Sequence, residues 1–355
     1  MGNTALHSPQ PSATDRMISG QYLGVDAVVQ FGDPAVELAA LHESCGAFHL
    51  PWRAKIAVTG KDRARWLHNM VTNNVRDLPL NRGNYNFVLN AQGRILGDMY
   101  IYNRGESLVL DTDSAQVEPL LTAMKRYIIM DKVEMNVAPI MAWAICGPKS
   151  EEKLSTAGLD FRGVDLKNME PLELRELPEG RGIFIRGPIN KPGWYEFWFT
   201  GNSDSDFNLA VVPGWSGLRM VGTQAVEWWR ILHGIPQYGQ DIRDRDLPQE
   251  TGQTQALNFT KGCYIGQEIV ERIRSRGQVH RKFTGFEFED GLPALGKYES
   301  GGRALAEVTS VAAVPSSSGV RHIGLGYVRR EAAEIGPQVD LNGCKAKIVE
   351  LPFAG

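Results

Sequence analysis

Apolar residues in this chain come in short runs, each broken within a few positions by charge or by Gly, Asn or Asp. Even a long candidate such as Tyr127 to Met130 is far from the roughly 20 apolar residues a membrane-spanning helix needs. Short strands and modest helices packed in layers are therefore expected. With 43% hydrophobic residues in 355, there is enough apolar material for real cores, and the length suggests about two or three domains. A single small module is excluded. The balance of 38 basic against 41 acidic side chains, net −3, leaves no global field for a nucleic acid or an anionic membrane. Any anion site must be a local patch.

From Pro34 to about Val137, helical and extended signals alternate. Ala35 to His42 suggests a helix and Ile56 to Val58 a strand. Ala64, Leu67, Met70 and Val71 recur at three and four, the spacing of one helical face. Short segments at Phe87 to Leu89, Asp98 to Tyr102 and Leu108 to Leu110 fit an antiparallel sheet. A helix is expected to start near Val117 or Glu118, where Pro119 is tolerated, and to carry Leu120, Leu121, Met124, Tyr127 and Ile128. A second α+β unit follows, with strands at Ala142 to Cys146, Gly182 to Arg186 and Trp194 to Thr200. Its best helix is Thr223 to His233, stopped by Gly234. After Arg281 the helical period disappears and Gly-bounded strands remain at Phe283 to Phe288, Ala304 to Val308, Gly324 to Val328 and Lys345 to Leu351, which predicts a small β-barrel. Val314 to Gly319 fits a hairpin loop. The expected division is a disordered leader at 1–16, an α+β domain at 17–137, a second at 138–280 and a barrel at 281–355.

The Ser- and Pro-rich stretch Met1 to Arg16 has neither the basic start nor the apolar stretch of a secretory signal. Cys45, Cys146, Cys263 and Cys344 form no Cys-x-x-Cys pair, so a reducing cytoplasm is expected. No histidine pair has metal-ligand spacing on one helix, and phosphate-binding glycine loops and the Gly-x-Ser-x-Gly elbow are missing. No metal site is expected.

Two segments carry chemistry. In Lys261-Gly262-Cys263-Tyr264-Ile265-Gly266-Gln267-Glu268, two glycines permit a tight turn, and Lys261 beside Cys263 would favour a thiolate. The alternative is a small buried cysteine in a turn with a solvated basic face after it. Arg272, Arg274 and Arg276 alternate, so on a strand they would share a side and suit a polyanionic tail. In the second segment, Asn90 to Asp98, Asp98 enters a strand among apolar neighbours and is a candidate proton acceptor or ring-nitrogen partner. A turn-closing aspartate is the plainer reading. Tyr85, Tyr195 with Glu196, and Tyr238 could clamp a flat heteroaromatic ring or simply pack in a core.

Taken in order, these residues resemble the folate-binding relatives of the glycine cleavage T-protein, in particular the YgfZ-type proteins that support iron–sulfur enzymes. Val58 to Asp62 with Val71-Thr72-Asn73, Leu89 to Asp98, Tyr195-Glu196, and Arg230 through Gly239 each resemble a family segment. Lys261 to Glu268 matches the whole Lys-Gly-Cys-Tyr-x-Gly-Gln-Glu signature. The resemblance implies a three-domain cloverleaf, two α+β domains and a C-terminal β-barrel, around a central tetrahydrofolate or one-carbon derivative. It implies that Asp98 faces the folate ring nitrogens, that Glu196 binds the pterin edge, and that Tyr85, Arg230 and Tyr238 line the pocket. Cys263, with Lys261 beside it, would be the working thiol, and the basic segment would hold the glutamate tail. Iron–sulfur client enzymes are the implied partners, with no membrane and no nucleic acid. Gly97 stands where the T-protein has a second acid, and Gly187 to Gly193 replaces a Gly-and-Glu-containing stretch, so the transfer step is the part of the resemblance that weakens. The competing function is a tetrahydrofolate-dependent aminomethyltransferase, and the third a scaffold whose pocket has decayed.

Overall fold

Local chemistry sets the element boundaries. Asp33 accepts a hydrogen bond from the Ala35 amide at 2.9 Å and Pro34 occupies the first turn, so helix α1 starts there and runs Pro34–Glu43. Helix α5, Thr223–Leu232, buries Ala225, Val226, Trp229 and Ile231 and ends where expected, before Gly234. Helix α3 starts at Val117 as predicted but stops at Lys125, leaving Tyr127 and Ile128 outside it. The computed structural model describes residues 17–156, 166–177, 180, 182–200, 218–277, 279–300, 302–331 and 338–354. The expected leader at 1–16 lies outside them.

The chain begins with a two-stranded ribbon, β1 Ile18–Tyr22 and β2 Val25–Gln30. After α1, strand β3 Gly46–His49 is followed by β4 Arg53–Thr59, α2 Arg63–Met70, β5 Gly83–Leu89, β6 Ile95–Asn103, β7 Leu108–Asp113, α3, and β8 Glu134–Ala138. These last five strands form an antiparallel sheet in the order β5-β6-β7-β4-β8. One face packs Ile56, Val58, Met99, Ile101, Leu108 and Leu110 against Leu67 of α2 and Leu120 and Met124 of α3.

A second sheet is built from β9 Ile140–Cys146, β10 Leu174–Glu176, β11 Ile183–Arg186, β12 Tyr195–Thr200 and the short β13 Arg219–Met220, and it takes in β3. Its order is β10-β11-β12-β9-β3-β13, antiparallel except for the parallel pairing of β13 with β3. Helix α4, Ser150–Thr156, follows β9. Alternation along β12 sends Tyr195 and Phe197 into one core and Trp198 into another shared with α5 and the C-terminal strands.

Beyond α5 an irregular stretch leads to α6, Gln267–Arg276. The arginines at 272, 274 and 276 therefore lie on a helix, where the alternation that would align them on a strand does not align them, and at 3.6 residues per turn positions 272 and 274 fall on opposite faces. The last unit comprises β14 Arg281–Phe288, β15 Gly296–Ser300, β16 Arg303–Ser316, β17 Gly319–Arg329, β18 Gln338–Leu341 and β19 Cys344–Val349. Their order, β15-β16-β17-β14-β19-β18, leaves β15 and β18 as unpaired edges among the described residues. The expected closed barrel is instead a curled, open sheet, a half-barrel. The hairpin expected at Val314 to Gly319 is present, with Ser316 paired to Gly319.

Candidate functional site

Alternation makes the first sheet two-faced. Opposite its apolar core lie Arg53 and Lys55 of β4, Tyr85 and Phe87 of β5, Asp98, Tyr100 and Tyr102 of β6, and Asp111 and Asp113 of β7. Register sets Arg53 across from Asp113, Lys55 across from Asp111, and Tyr100 between Tyr85 and Asp111. This polar face meets Trp198 of the second sheet: the Tyr102 and Trp198 rings stand 5.2 Å apart, edge to face, and Lys55 Nζ lies 4.5 Å over the Trp198 ring.

Asp98 sits inside β6 and closes no turn; that task falls to Asn90, whose side chain accepts from the Gln92 and Arg94 amides. One Asp98 oxygen accepts from the Tyr85 hydroxyl, and the other accepts from Gln116 Nε2 at 2.8 Å. Burial raises its pKa above the usual carboxylate range, with Asp113 pushing the same way. Gly97 makes this arrangement possible. A Cβ there would stand 2.7 Å from Leu120 and 2.8 Å from Gln116 Oε1, so a second acid at this position would drive α3 and Gln116 away from Asp98.

Arg53 bonds Asp111 and Asp113, the latter at 2.7 Å, and Lys55 bonds Asp111 at 2.8 Å. Burial acts against the Asp111 carboxylate, yet Arg53 and Lys55 together hold its pKa below the ordinary value. Glu196, 8% exposed, accepts from the Trp194 and Trp198 indoles, each at 2.8 Å, so both of its oxygens are engaged. Lys191, from the turn before β12, places Nζ 4.5 Å over the Trp194 ring and 5.8 Å over the Tyr100 ring. Asp98, Tyr100 and Lys191 keep part of their surface accessible although burial dominates the proton affinity of each. Together they bring an acceptor, aromatic rings and a cation to one partly accessible seam.

The remaining expected residues fall in different places. Tyr238 donates to the Leu96 carbonyl at 2.9 Å, beside Asp98. Arg230, 5% exposed, spends its guanidinium on Glu227, Asp241, the Ile235 carbonyl and Ser310, which ties α5 to β16. Cys263 is exposed. Its neighbour Tyr264 turns inward, into the cluster of Tyr85, Phe87, Leu89, Ile95 and Ile242, with Tyr238 packed against it. Gly266 holds the turn: its φ is +83°, and a Cβ there would lie 2.6 Å from the Asn90 carbonyl. Lys261 points away from the role expected for it beside the sulfur. Its Nζ donates to the carbonyls of His68, Val71 and Asn73 at 2.5, 2.6 and 2.7 Å, which accounts for all three protons. Burial, helped by Arg76, pulls its pKa down to about 7.

The resemblance did not name Arg53, Lys55, Tyr100, Asp111, Asp113 or Lys191. The first five carry a readable signal, polar residues two apart inside otherwise apolar strands. Lys191 sits in a turn and carries none.

Residues 19–182 match the GCVT N-terminal domain family. The mouse mitochondrial iron–sulfur cluster assembly factor IBA57 is 30% identical over 308 residues, 80% of this chain and 77% of that protein. The chain belongs to the glycine cleavage T-protein family. Another relative in this family, the aminomethyltransferase of Thermoanaerobacter pseudethanolicus, is 26% identical over 88% of this chain and 86% of its own length. The glycine cleavage aminomethyltransferase T of Bartonella henselae superposes with a TM-score of 0.80 at 18% identity, covering 95% of this chain and 94% of the other, and so shares the T-protein-family fold.

Proposed function

We propose that the chain binds tetrahydrofolate or a one-carbon derivative at the seam beside Asp98 and supports the assembly or repair of iron–sulfur clusters in client enzymes, as a YgfZ-type protein, with Cys263 as its thiol. The observation that carries this reading is the division of labour between Cys263 and Tyr264. Cys263 is exposed while the adjacent ring is built into the cluster that holds Tyr85, whose hydroxyl bonds Asp98. Ligand and thiol are thus joined through one packed cluster. The 30% identity with an iron–sulfur assembly factor supports the same reading.

The donor set fits a reduced pteridine. Asp98 offers acceptor oxygens to ring N–H groups, Tyr85 orients that carboxylate, and the half-buried Tyr100 offers a flat wall. When bound, tetrahydrofolate supplies a nucleophilic ring nitrogen that carries one-carbon units. The chain's own residues bind and orient it. Stable cluster ligation asks for about four thiolates, so one exposed cysteine suits transient contact with a client rather than permanent holding. All four cysteines are free, and we place the protein in the reducing cytoplasm.

The aminomethyltransferase relatives favour a second reading, transfer of an aminomethyl group to tetrahydrofolate with Asp98 positioning the ring. Gly97 counts against it, because the close approach of Gln116 leaves no room for a second acid. Calorimetric titration with tetrahydrofolate, together with an assay of aminomethyl-lipoyl carrier turnover, separates the readings. We expect binding without turnover. Absence of binding sinks the folate reading, and efficient turnover establishes the transferase.

A further inference from the structure

The cations and carboxylates along this seam are matched, with one exception. Asp111 is held by Arg53 and Lys55, and Asp113 by Arg53 and Gln237. Glu196 is held by two indoles. Lys191 lies within the field of all three acids, yet no oxygen accepts a hydrogen bond from its Nζ among the described residues. Two aromatic faces are its partners. Lys191 is half-buried with its ammonium over two rings, and burial lowers its pKa.

The turn that carries this side chain is held by its backbone. Lys191 N–H donates to the Pro188 carbonyl at 2.9 Å and its carbonyl accepts from Trp194 N–H at 3.3 Å. Gly193, at φ +66°, sits so close to Gly147 that a Cβ would lie 2.2 Å from its carbonyl oxygen, which clamps the turn onto β9. A lysine on so firmly held a turn, beside acids already engaged, can offer its ammonium to an acceptor from a ligand.

We infer that Lys191 is the ligand-recognising donor of the seam, set to bond a carbonyl or carboxylate oxygen of a flat heterocycle whose N–H edge meets Asp98. The seam thereby selects rings that carry an acceptor oxygen and a donor nitrogen together. This assignment rests on the folate reading.

The test is calorimetric titration of tetrahydrofolate into the wild type, Lys191→Met and Lys191→Arg, with melting temperatures alongside. A charge-assisted hydrogen bond of about 1.5–3 kcal/mol corresponds to a loss of roughly 10- to 150-fold in affinity. Lys191→Met should show that loss at an unchanged melting temperature, and Lys191→Arg should recover part of it. Wild-type binding with Lys191→Met within twofold overturns the Lys191 assignment and leaves the folate reading standing. A wild type that does not bind overturns both. Should Lys191→Met fold poorly, acetylation of the wild type by acetic anhydride, mapped by mass spectrometry, gives the answer instead. Tetrahydrofolate should slow labelling of Lys191 specifically, and an unchanged rate with saturating ligand overturns the assignment.

Discussion

Arg230 and Asp98 are both polar residues in the interior, but they do different work. Every Arg230 donor has a protein partner, so its loss leaves Asp241 buried without its cation. Arg230→Met should cost about 3–5 kcal/mol of stability, seen as a large drop in melting temperature. Asp98 bonds one tyrosine and one glutamine and keeps exposed surface, so Asp98→Asn should leave the fold nearly unchanged. Under the assembly reading, its effect should appear as weaker tetrahydrofolate binding in a titration, whereas the transferase reading predicts lost rate with little lost binding. His68 supplies a pH test. It is buried, its Nδ1 accepts from the Arg76 amide, and burial together with Lys261 and Arg76 lowers its pKa to about 4. Between about 4 and the ordinary 6.5 the unfolded chain therefore binds the extra proton, so the His68 contribution is present above that window and is lost as pH falls through it. The fall in melting temperature across that window should shrink in His68→Gln.

Among the elements, α3 and β6 illustrate how a single missing side chain positions the site. Gly97→Ala would force Leu120 and Gln116 aside and should destabilise by about 1–3 kcal/mol, measured by denaturant unfolding, while releasing the hydrogen bond that Gln116 makes to Asp98. The strands and helices around this contact were largely legible, because Ile56 to Val58, Asp98 to Tyr102 and Thr223 to His233 carry clear period-two or period-3.6 patterns. The helix at 267–276 was misread because its arginines sit two apart, a spacing that mimics a strand when the apolar residues between them are few. The direction of Lys261 was not legible, because adjacency in sequence to Cys263 says nothing about where its side chain points. Its ammonium reaches back to carbonyls at the end of α2, 190 residues away along the chain.

For the molecule as a whole, function follows from two sheets meeting at a charged seam and a third unit braced onto them. Arg230 reaches Ser310, Tyr327 donates to the Asp241 carbonyl, and Gln237 reaches Asp113, so the seam is braced from several sides. The sequence could name Asp98, Tyr85, Glu196 and Tyr238 one at a time. It could not show that Arg53, Asp111 and Asp113 share their sheet face, since that depends on strand register set by long-range pairing. It predicted a barrel for the C-terminal strands because strand count alone does not distinguish closure from an open curl.

The exposed sulfur next to an inward-facing tyrosine is the centre of this account. Its most direct test is the activity of iron–sulfur enzymes, under oxidative stress, in cells whose only copy of this protein carries Cys263→Ala. We predict that those activities fall to the level of cells lacking the protein while the variant still accumulates and binds tetrahydrofolate. Full iron–sulfur enzyme activity in the Cys263→Ala cells would contradict it.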